Sequence, residues 1–230
     1  MSDPLPSWNE GLAKATILDF VRKTTAPSSP SFVRPKNRIA AFDQDGTTRV
    51  EQPMYTQLAF ALDRLAELAP QLVYQPMLEI MRYFEDNGFS NYIVTGGGQA
   101  FVRAYAEGVY DMTPEQIIGS SLETQFEYDT GGAALLMRPP KLLLYNDSAG
   151  KPQDIYLFLG RPPVAAFGNS TGDQQMLEYT QTGGGTRLMV LVGAFTHALA
   201  DTARANGWLV ASMKNDWKRI FAFESSAEMT

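Results

Sequence analysis

The sequence predicts an α/β protein built on a mainly parallel, Rossmann-like β-sheet flanked by helices. Short apolar runs typical of buried strands alternate along the chain with segments whose apolar residues recur at helical spacing. This alternation favours βαβ units, in which successive strands run parallel. Several apolar runs end directly in turns that contain Gly, Asp or Asn, as strands of such sheets commonly do.

Each predicted element has its own sequence signal. Strands are predicted at 38–42, 91–95, 116–120, 163–167, 187–192 and 208–212. Helices are predicted at 8–21, 52–68, 76–87, 100–110, 173–179 and 197–206. Ser7 is a candidate cap of the first helix, Pro53 suits the first turn of the second, and Gly88 is the expected stop of the third.

We expect residues 1–230 to form a single domain, since this length is ordinary for one domain with a substantial core. Within it, residues 1–36 are predicted to form an N-terminal helix and a connector rich in Pro and Ser. Residues 122–144 differ from the rest because they are aromatic and interrupted by Gly and Pro. They are predicted to form a small β-hairpin insert.

Composition and charge exclude several classes of function. A chain that is 44% hydrophobic and 19% charged is typical of a soluble globular protein. Its net charge of −6 argues against non-specific binding to nucleic acid or to an anionic membrane. The absence of cysteine excludes disulfides, thiol catalysis and zinc–thiolate sites.

The start of the chain gives no targeting signal. Its first fifteen residues lack the basic start and the apolar core of a secretory signal, and no apolar run reaches transmembrane length. We therefore expect a cytoplasmic protein. The alternative is a periplasmic protein whose leader has been removed.

Two aspartates directly follow the first predicted strand. Asp43 and Asp45 come after the apolar run 38–42, and Gly46 completes an Asp-Gly turn. This places both carboxylates at the carboxyl end of a central strand, where open α/β sheets bind ligands. Two such carboxylates repel each other unless a cation or a proton lies between them. The pattern favours a chemical site over its alternative, a strand that ends in a solvated acidic turn.

Three further elements lie at or beside predicted strand ends. Residues 95–98, a threonine and three glycines, offer free N–H groups that suit an anion, although such runs are often only turns. Lys151 precedes the fourth strand and, taken alone, is typical of a surface lysine. Asn169 and Asp173 offer oxygen ligands suited to Mg²⁺. The alternative for Asp173 is a cap on the following helix.

The order of these elements resembles that of the haloacid dehalogenase (HAD) superfamily. An Asp pair, a hydroxyl–glycine turn, a lysine and an acidic loop follow one another on four successive junctions of one sheet. Longer stretches, including EQPMYTQLAFALDR, TGGGQAF and MKNDWKRIF, resemble bacterial phosphoserine-phosphatase-like members. The likeness extends over nearly the whole chain. It implies a core sheet with strand order 5-4-1-2-3.

The resemblance also implies a mechanism and roles for single residues. Asp43 would be the nucleophile that takes a phosphoryl group and forms an aspartyl-phosphate. Asp45 would protonate the leaving alcohol and then activate water, and its presence places the chain with the phosphatases rather than the dehalogenases. Lys151 would neutralise charge and keep Asp43 ionised. The resemblance thus implies a Mg²⁺-dependent phosphatase that acts on a phosphomonoester.

Two sets of ligands follow from the same resemblance. The resemblance implies that the phosphoryl oxygens are bound by Thr95, Gly96, Gly97 and Lys151. The implied Mg²⁺ ligands are Asp43, the backbone carbonyl of Asp45, Asn169 through its amide oxygen, and Asp173 directly or through water.

The chain departs from its family at several places. Gln44, Thr48 and Thr171 stand where relatives usually have Asn, an apolar residue and Asp, and none of the three removes a group that the chemistry requires. Residues 68–76 leave no room for the helical cap that relatives insert between the first two motifs. We therefore expect a capless protein with an open strand-end face.

An open face suggests what the protein works with. We expect a phosphorylated substrate that is bulky or macromolecular, or closure of the site by a partner subunit in a homo-oligomer. Two alternatives stay open: a non-catalytic binding or assembly domain that keeps the fold, and phosphoryl transfer to an acceptor other than water.

Three features receive a structural interpretation. Arg49 is expected either to contact substrate or to form a surface ion pair. Tyr105 falls at helical spacing and is expected in the core. The glycine run 183–185 is expected to be a turn.

Overall fold

The computed structural model of the chain describes residues 3–50, 72–193 and 196–224. In these ranges the strands are β1 (Ile39–Phe42), β2 (Ser90–Gly98), β3 (Ile117–Leu122), β4 (Gln125–Tyr128), β5 (Ala134–Met137), β6 (Leu142–Leu144), β7 (Ala165–Gly168), β8 (Leu188–Val192) and β9 (Leu209–Ala211). The α-helices are α1 (Leu12–Thr25), α2 (Gln75–Asp86), α3 (Gln99–Tyr110), α4 (Gly150–Leu159), α5 (Gln174–Thr182), α6 (His197–Ala205) and α7 (Met213–Asp216).

The main sheet has the predicted strand order. Within the described ranges it contains seven strands in the order β6-β3-β2-β1-β7-β8-β9. The five strands of the predicted core are β1, β2, β3, β7 and β8, so the order 5-4-1-2-3 is confirmed. β9 extends the sheet in parallel beyond β8, whereas β6 pairs antiparallel with β3 at the other edge.

Both faces of the sheet are covered, which is why its central strands are apolar throughout. Every residue of β1, β7 and β8 is buried. On one face Ile17 of α1 and Ile80 of α2 join the core, and on the other Ile155 of α4 and Met176 of α5 do so. Strands buried on both sides are typical of parallel sheets, whose crossover helices lie on the two faces.

Most predicted helices are confirmed with small shifts at their ends. α2 ends just before Gly88, whose φ of +74° is the left-handed conformation that glycine adopts at helix ends. The first helix begins at Leu12 rather than Trp8, and Ser7 does not cap it. Ser7 instead donates to Glu79 of α2 through its N–H and its hydroxyl, because this buried carboxylate needs donors. The predicted helix 52–68 and the site of the missing cap lie largely outside the described residues.

A hairpin is confirmed within the predicted insert, but the ends of that insert, Leu122 in β3 and Leu142–Leu144 in β6, belong to the main sheet. β4 and β5 pair antiparallel as a separate two-stranded sheet. All residues of both strands are exposed, including Phe126 and Tyr128, whose rings meet edge to face.

The division of the chain into core, N-terminal segment and insert stays a prediction. No helix within the described ranges has the length and apolar character needed to cross a membrane.

Candidate active site

Asp43 lies at the carboxyl end of β1, where the sequence placed it. Its N–H donates to the carbonyl oxygen of Phe167 at 2.8 Å, so the pairing of β1 with β7 continues to this residue. The Asp43 side chain is only 9% exposed. Since Phe42 lies opposite Ile93 in the parallel pair β1–β2, Asp43 and Thr95 lie at the same end of that pair.

Lys151 joins the first motif to the acidic loop. Its Nζ donates to Asp43 Oδ1 at 2.5 Å, to Asp173 Oδ1 at 2.6 Å and to the carbonyl oxygen of Val94 at 3.0 Å. The side chain is 3% exposed, so Lys151 is a buried cation and not a surface lysine. Gly150 allows this placement, because a Cβ there would lie 1.9 Å from the carbonyl oxygen of Tyr145.

Burial sets the protonation of this cluster. It raises the pKa of Asp43 to about 7, and the charge of Asp173 acts in the same direction while Lys151 opposes both. The two carboxylates raise the pKa of Lys151 against the effect of its burial, so Lys151 stays charged. A second cation at Asp43 would favour its ionised form.

Asp173 organises the acidic loop after β7. Its Oδ2 accepts from the N–H groups of Asn169 and Ser170 at 2.9 and 3.0 Å, while its Oδ1 accepts from Lys151. The alternative role as a cap of α5 is not seen, since no capping bond runs from its side chain to that helix. Asp173 instead closes a capping box with Ser170 around the short 3₁₀ turn Thr171–Asp173.

One end of the Asn169 carboxamide faces oxygen atoms of four other residues. It lies 3.0 Å from Asp43 Oδ2, 3.0 Å from the carbonyl oxygen of Asp45 and 3.2 Å from Asp173 Oδ2, so the nitrogen belongs at this end as a donor. The Thr47 hydroxyl lies 3.1 Å away on the same side. Oxygens that converge in this way fit a hard cation, provided that the amide turns to present its own oxygen.

The fit to a cation rests on a mixed donor set. Within the described residues no cluster of three or more His, Cys, Asp or Glu side chains could hold a metal. The convergent oxygens here come from two carboxylates and one backbone carbonyl. The Asn169 amide would add a fourth oxygen when it turns, and Mg²⁺ accepts ligands of all three kinds.

Residues 95–98 differ from the sequence prediction, because they belong to β2 and do not form a turn after it. β2 continues to Gly98, and its pairing with β3 shifts register between Thr95 and Gly98. The Thr95 hydroxyl accepts from the N–H of Gly97 at 3.0 Å, and Ser120 donates to the Gly96 carbonyl at 2.8 Å. Gly96 is exposed at this edge, which leaves its backbone accessible.

A network that the sequence did not reveal holds Asp45. Arg49 Nε donates to Asp45 Oδ1 at 2.7 Å, and Arg49 Nη1 donates to the Tyr105 hydroxyl at 2.9 Å. Gln44 Nε2 donates to the same hydroxyl at 2.7 Å. Gly46, with a φ of +83°, turns the loop back so that its N–H reaches the Arg49 carbonyl. Arg49 is therefore buried while the Asp45 side chain keeps 30% of its surface exposed, and Tyr105 does more than fill the core.

The signal for this network was present but ambiguous. Asp45 and Arg49 are four residues apart, which suits an ion pair in any tight turn and says nothing of burial. Tyr105 lies on α3, remote in sequence, and only the fold brings its hydroxyl to the loop.

Comparisons with known proteins support the fold. No protein-family model matches the chain, and no curated protein matches it. Among solved structures, a protein of unknown function from Bordetella pertussis Tohama I matches with a TM-score of 0.55 and 14% identity, over 76% of this chain and 98% of that one.

Two further structures match less well in shape. A conserved functionally unknown protein from Anaerococcus prevotii DSM 20548 is 25% identical, with a TM-score of 0.44, over 60% of this chain and 37% of that one. A HAD family hydrolase from Salmonella enterica serovar Typhi is 17% identical, also with a TM-score of 0.44, over 72% of this chain and 65% of that one. The chain thus spans less than two thirds of the length of either protein.

The described core strands have the order 5-4-1-2-3, and the motif residues meet at their carboxyl ends. The chain shares an α/β fold with the Bordetella pertussis protein. Asp43, Lys151, Asn169 and Asp173 are in direct contact, and Thr95 lies at the same end of the sheet. Membership of the HAD superfamily is what the sequence resemblance implies. The phosphoserine-phosphatase-like branch, the roles of the site residues and the missing cap stay predictions.

Proposed function

We propose that the protein is a Mg²⁺-dependent phosphatase that hydrolyses a phosphomonoester through an aspartyl-phosphate on Asp43. The observation that carries this proposal is the contact of Lys151 with both Asp43 and Asp173, beside the convergent oxygens around Asn169. A buried carboxylate held by one cation, beside oxygens that suit a second, suits attack on an anionic phosphate.

In the first step an oxygen of Asp43 forms a bond to phosphorus while the bond from phosphorus to the ester oxygen breaks. Asp45 gives its proton to the leaving alcohol. In the second step Asp45 takes a proton from water, the water oxygen attacks phosphorus, and Asp43 is released with inorganic phosphate. The Arg49 contact positions the Asp45 carboxylate for both transfers, and its 30% exposure lets water reach it.

Four groups would hold the metal: the carboxylates of Asp43 and Asp173, the carbonyl of Asp45 and the amide of Asn169. When bound, Mg²⁺ supplies positive charge that lets an anionic carboxylate approach an anionic phosphate. Lys151 favours the ionised form of Asp43 from the opposite side, through its other oxygen.

The glycine turn would receive the transferred group. Thr95, Gly96 and Gly97 lie at the same edge as Asp43, and Lys151 reaches the carbonyl of the residue before Thr95. Backbone N–H groups and a lysine are suited to phosphoryl oxygens.

We propose that the substrate is bulky or macromolecular. The alternative is that a second subunit closes the site. The exposed apolar hairpin supports this part, because Phe126, Tyr128 and Leu136 lie outside the core with more than half of their surface accessible. Rapid hydrolysis of a small phosphomonoester by a proven monomer, with none on larger substrates, would refute it.

The proposal is tested with p-nitrophenyl phosphate, with and without Mg²⁺, on the parent chain and on Asp43→Asn. We expect Mg²⁺-dependent turnover that Asp43→Asn abolishes and that Asp201→Asn, on an exposed carboxylate of α6, leaves unchanged. No turnover in the parent, together with no stabilisation by beryllofluoride, would favour a non-catalytic binding or assembly domain. Phosphoryl transfer to an added alcohol in place of water would indicate a phosphotransferase.

A further inference from the structure

A cleft lies at the end of the sheet opposite to Asp43, where the amino ends of β1, β7 and β8 meet. Its volume is about 630 Å³, and it is lined by residues of the segments 30–34, 161–164 and 184–187, together with Asn37. These segments precede β1, β7 and β8, whereas Asp43 follows β1. A strand of four residues at about 3.3 Å each separates the two edges by roughly 13 Å, so the cleft is distinct from the candidate active site.

The lining of this cleft is basic although the whole chain is acidic. Among the residues that the structure describes, three arginines line it, Arg34, Arg161 and Arg187, and no Asp or Glu does. In the described part of the chain, none of the three guanidinium groups forms an ion pair with a carboxylate. The net charge of −6 makes a local excess of three positive charges unusual for this protein.

Arg187 is fixed by the glycine turn that precedes β8. Its guanidinium donates to the carbonyls of Gly184 and Pro163, the nearest contacts being 2.8 Å. Gly183 makes room for it, because a Cβ at that position would lie 2.4 Å from Arg187 Cζ. The glycine run 183–185 is thus a turn, as predicted, but one that packs around an arginine.

The other walls are also held in place. Arg161 Nη1 donates to Asn37 Oδ1 at 2.6 Å, and Thr186 donates to the Ser31 hydroxyl at 2.7 Å. These bonds tie the connector before β1 to the loops before β7 and β8. Phe32 adds a partly exposed aromatic wall, with the guanidinium of Arg38 over its ring.

We propose that this cleft binds a small molecule that carries a diphosphate group or two phosphate groups. Three guanidinium groups without carboxylate partners match several negative charges, and arginine binds phosphate oxygens through paired N–H donors. Neutral donors from the Ser31 and Asn37 side chains lie in the same wall. This site is independent of the phosphatase activity proposed above.

The test measures binding of inorganic pyrophosphate to the full-length chain by calorimetry, in EDTA so that no metal-dependent binding at Asp43 contributes. We expect Arg34→Gln combined with Arg161→Gln to weaken binding at least about tenfold. The matched control, Arg22→Gln with Arg204→Gln, removes the same charge from exposed ion pairs on α1 and α6 and should bind like the parent. Affinity should fall as salt rises.

Two more variants separate binding in this cleft from a loss of net charge and from binding at Asp43. Gly183→Ala keeps every charge but displaces the Arg187 guanidinium, so we expect weaker binding with the fold retained by circular dichroism. Asp43→Asn should bind pyrophosphate as the parent does. The proposal is overturned if the parent does not bind pyrophosphate, if the arginine pair binds as tightly as the parent, or if the Arg22 and Arg204 control loses as much affinity.

Discussion

Charged side chains are buried and paired at the carboxyl ends of the strands (the carboxyl edge), whereas they are exposed at the amino ends (the amino edge). At the carboxyl edge Lys151 lies between Asp43 and Asp173, all three nearly inaccessible to solvent. At the amino edge Arg34 and Arg161 are exposed around an open cleft and, within the described residues, have no carboxylate partner.

The difference follows from the cost of removing charge from water. A buried charge is tolerated only when partners compensate it, so the carboxyl edge must be assembled as a unit. Exposed arginines need no such compensation, and their donors stay available to a ligand from solution. The carboxyl ends of the strands therefore suit the chemistry that we propose, and the amino ends suit the binding that we propose.

The largest effect is expected from removing the cation of the carboxyl edge. Lys151→Gln leaves the buried carboxylates of Asp43 and Asp173 without their shared partner, so the free energy of unfolding should fall by about 3–5 kcal/mol. Urea denaturation measures it. Lys214→Gln, on an exposed lysine of α7, should change it by less than about 0.5 kcal/mol. Equal stability of the two variants would contradict the assignment of a compensated buried cluster.

A smaller effect is expected from the network behind Asp45. Tyr105→Phe removes the hydroxyl that accepts from Arg49 and Gln44, so Arg49 no longer holds Asp45 in one place. We expect kcat for p-nitrophenyl phosphate to fall by about 10- to 100-fold with little change in KM. Tyr156→Phe, at an exposed tyrosine of α4, is the control. A change in KM alone would show that Tyr105 serves substrate binding and not the position of Asp45.

The smallest effect is expected at the amino edge. Arg161→Gln removes an exposed charge whose described partner is the neutral side chain of Asn37. The free energy of unfolding should therefore stay within about 0.5 kcal/mol of the parent value by urea denaturation. A loss as large as that of Lys151→Gln would mean that both edges are structural, and the contrast between them would fail.

The fold could be predicted because its signals are local. The apolar run 38–42 and the Asp-Gly turn after it fix both a buried strand and the place where Asp43 leaves it. The strand order came from the resemblance and not from the pattern, since spacing alone does not say which strands are neighbours. The pattern around Lys151 likewise did not predict its contacts, because a single lysine in a sequence gives no sign of burial.

The rest depended on contacts between residues distant in sequence. Ser7 is of a residue type that often caps helices, but its N–H and hydroxyl donate to the carboxylate of Glu79, 72 residues away. Tyr105 had the spacing of a core residue, yet its hydroxyl belongs to the Asp45 network. The arginines of the cleft carry no motif, and only the meeting of three loops at one edge makes them a cluster.

If Asp43 is the nucleophile, as we propose, it carries the phosphoryl group during turnover, and trapping that group identifies it. Asp45→Asn should slow the release of phosphate by water, while p-nitrophenolate still leaves without a proton donor. After incubation with p-nitrophenyl phosphate and Mg²⁺ and an acid quench, peptide mass spectrometry should find a phosphoryl group on Asp43. A phosphoryl group on another residue would show that Asp43 is not the nucleophile. The same conclusion would follow if the parent hydrolyses the substrate and Asp45→Asn carries no phosphoryl group.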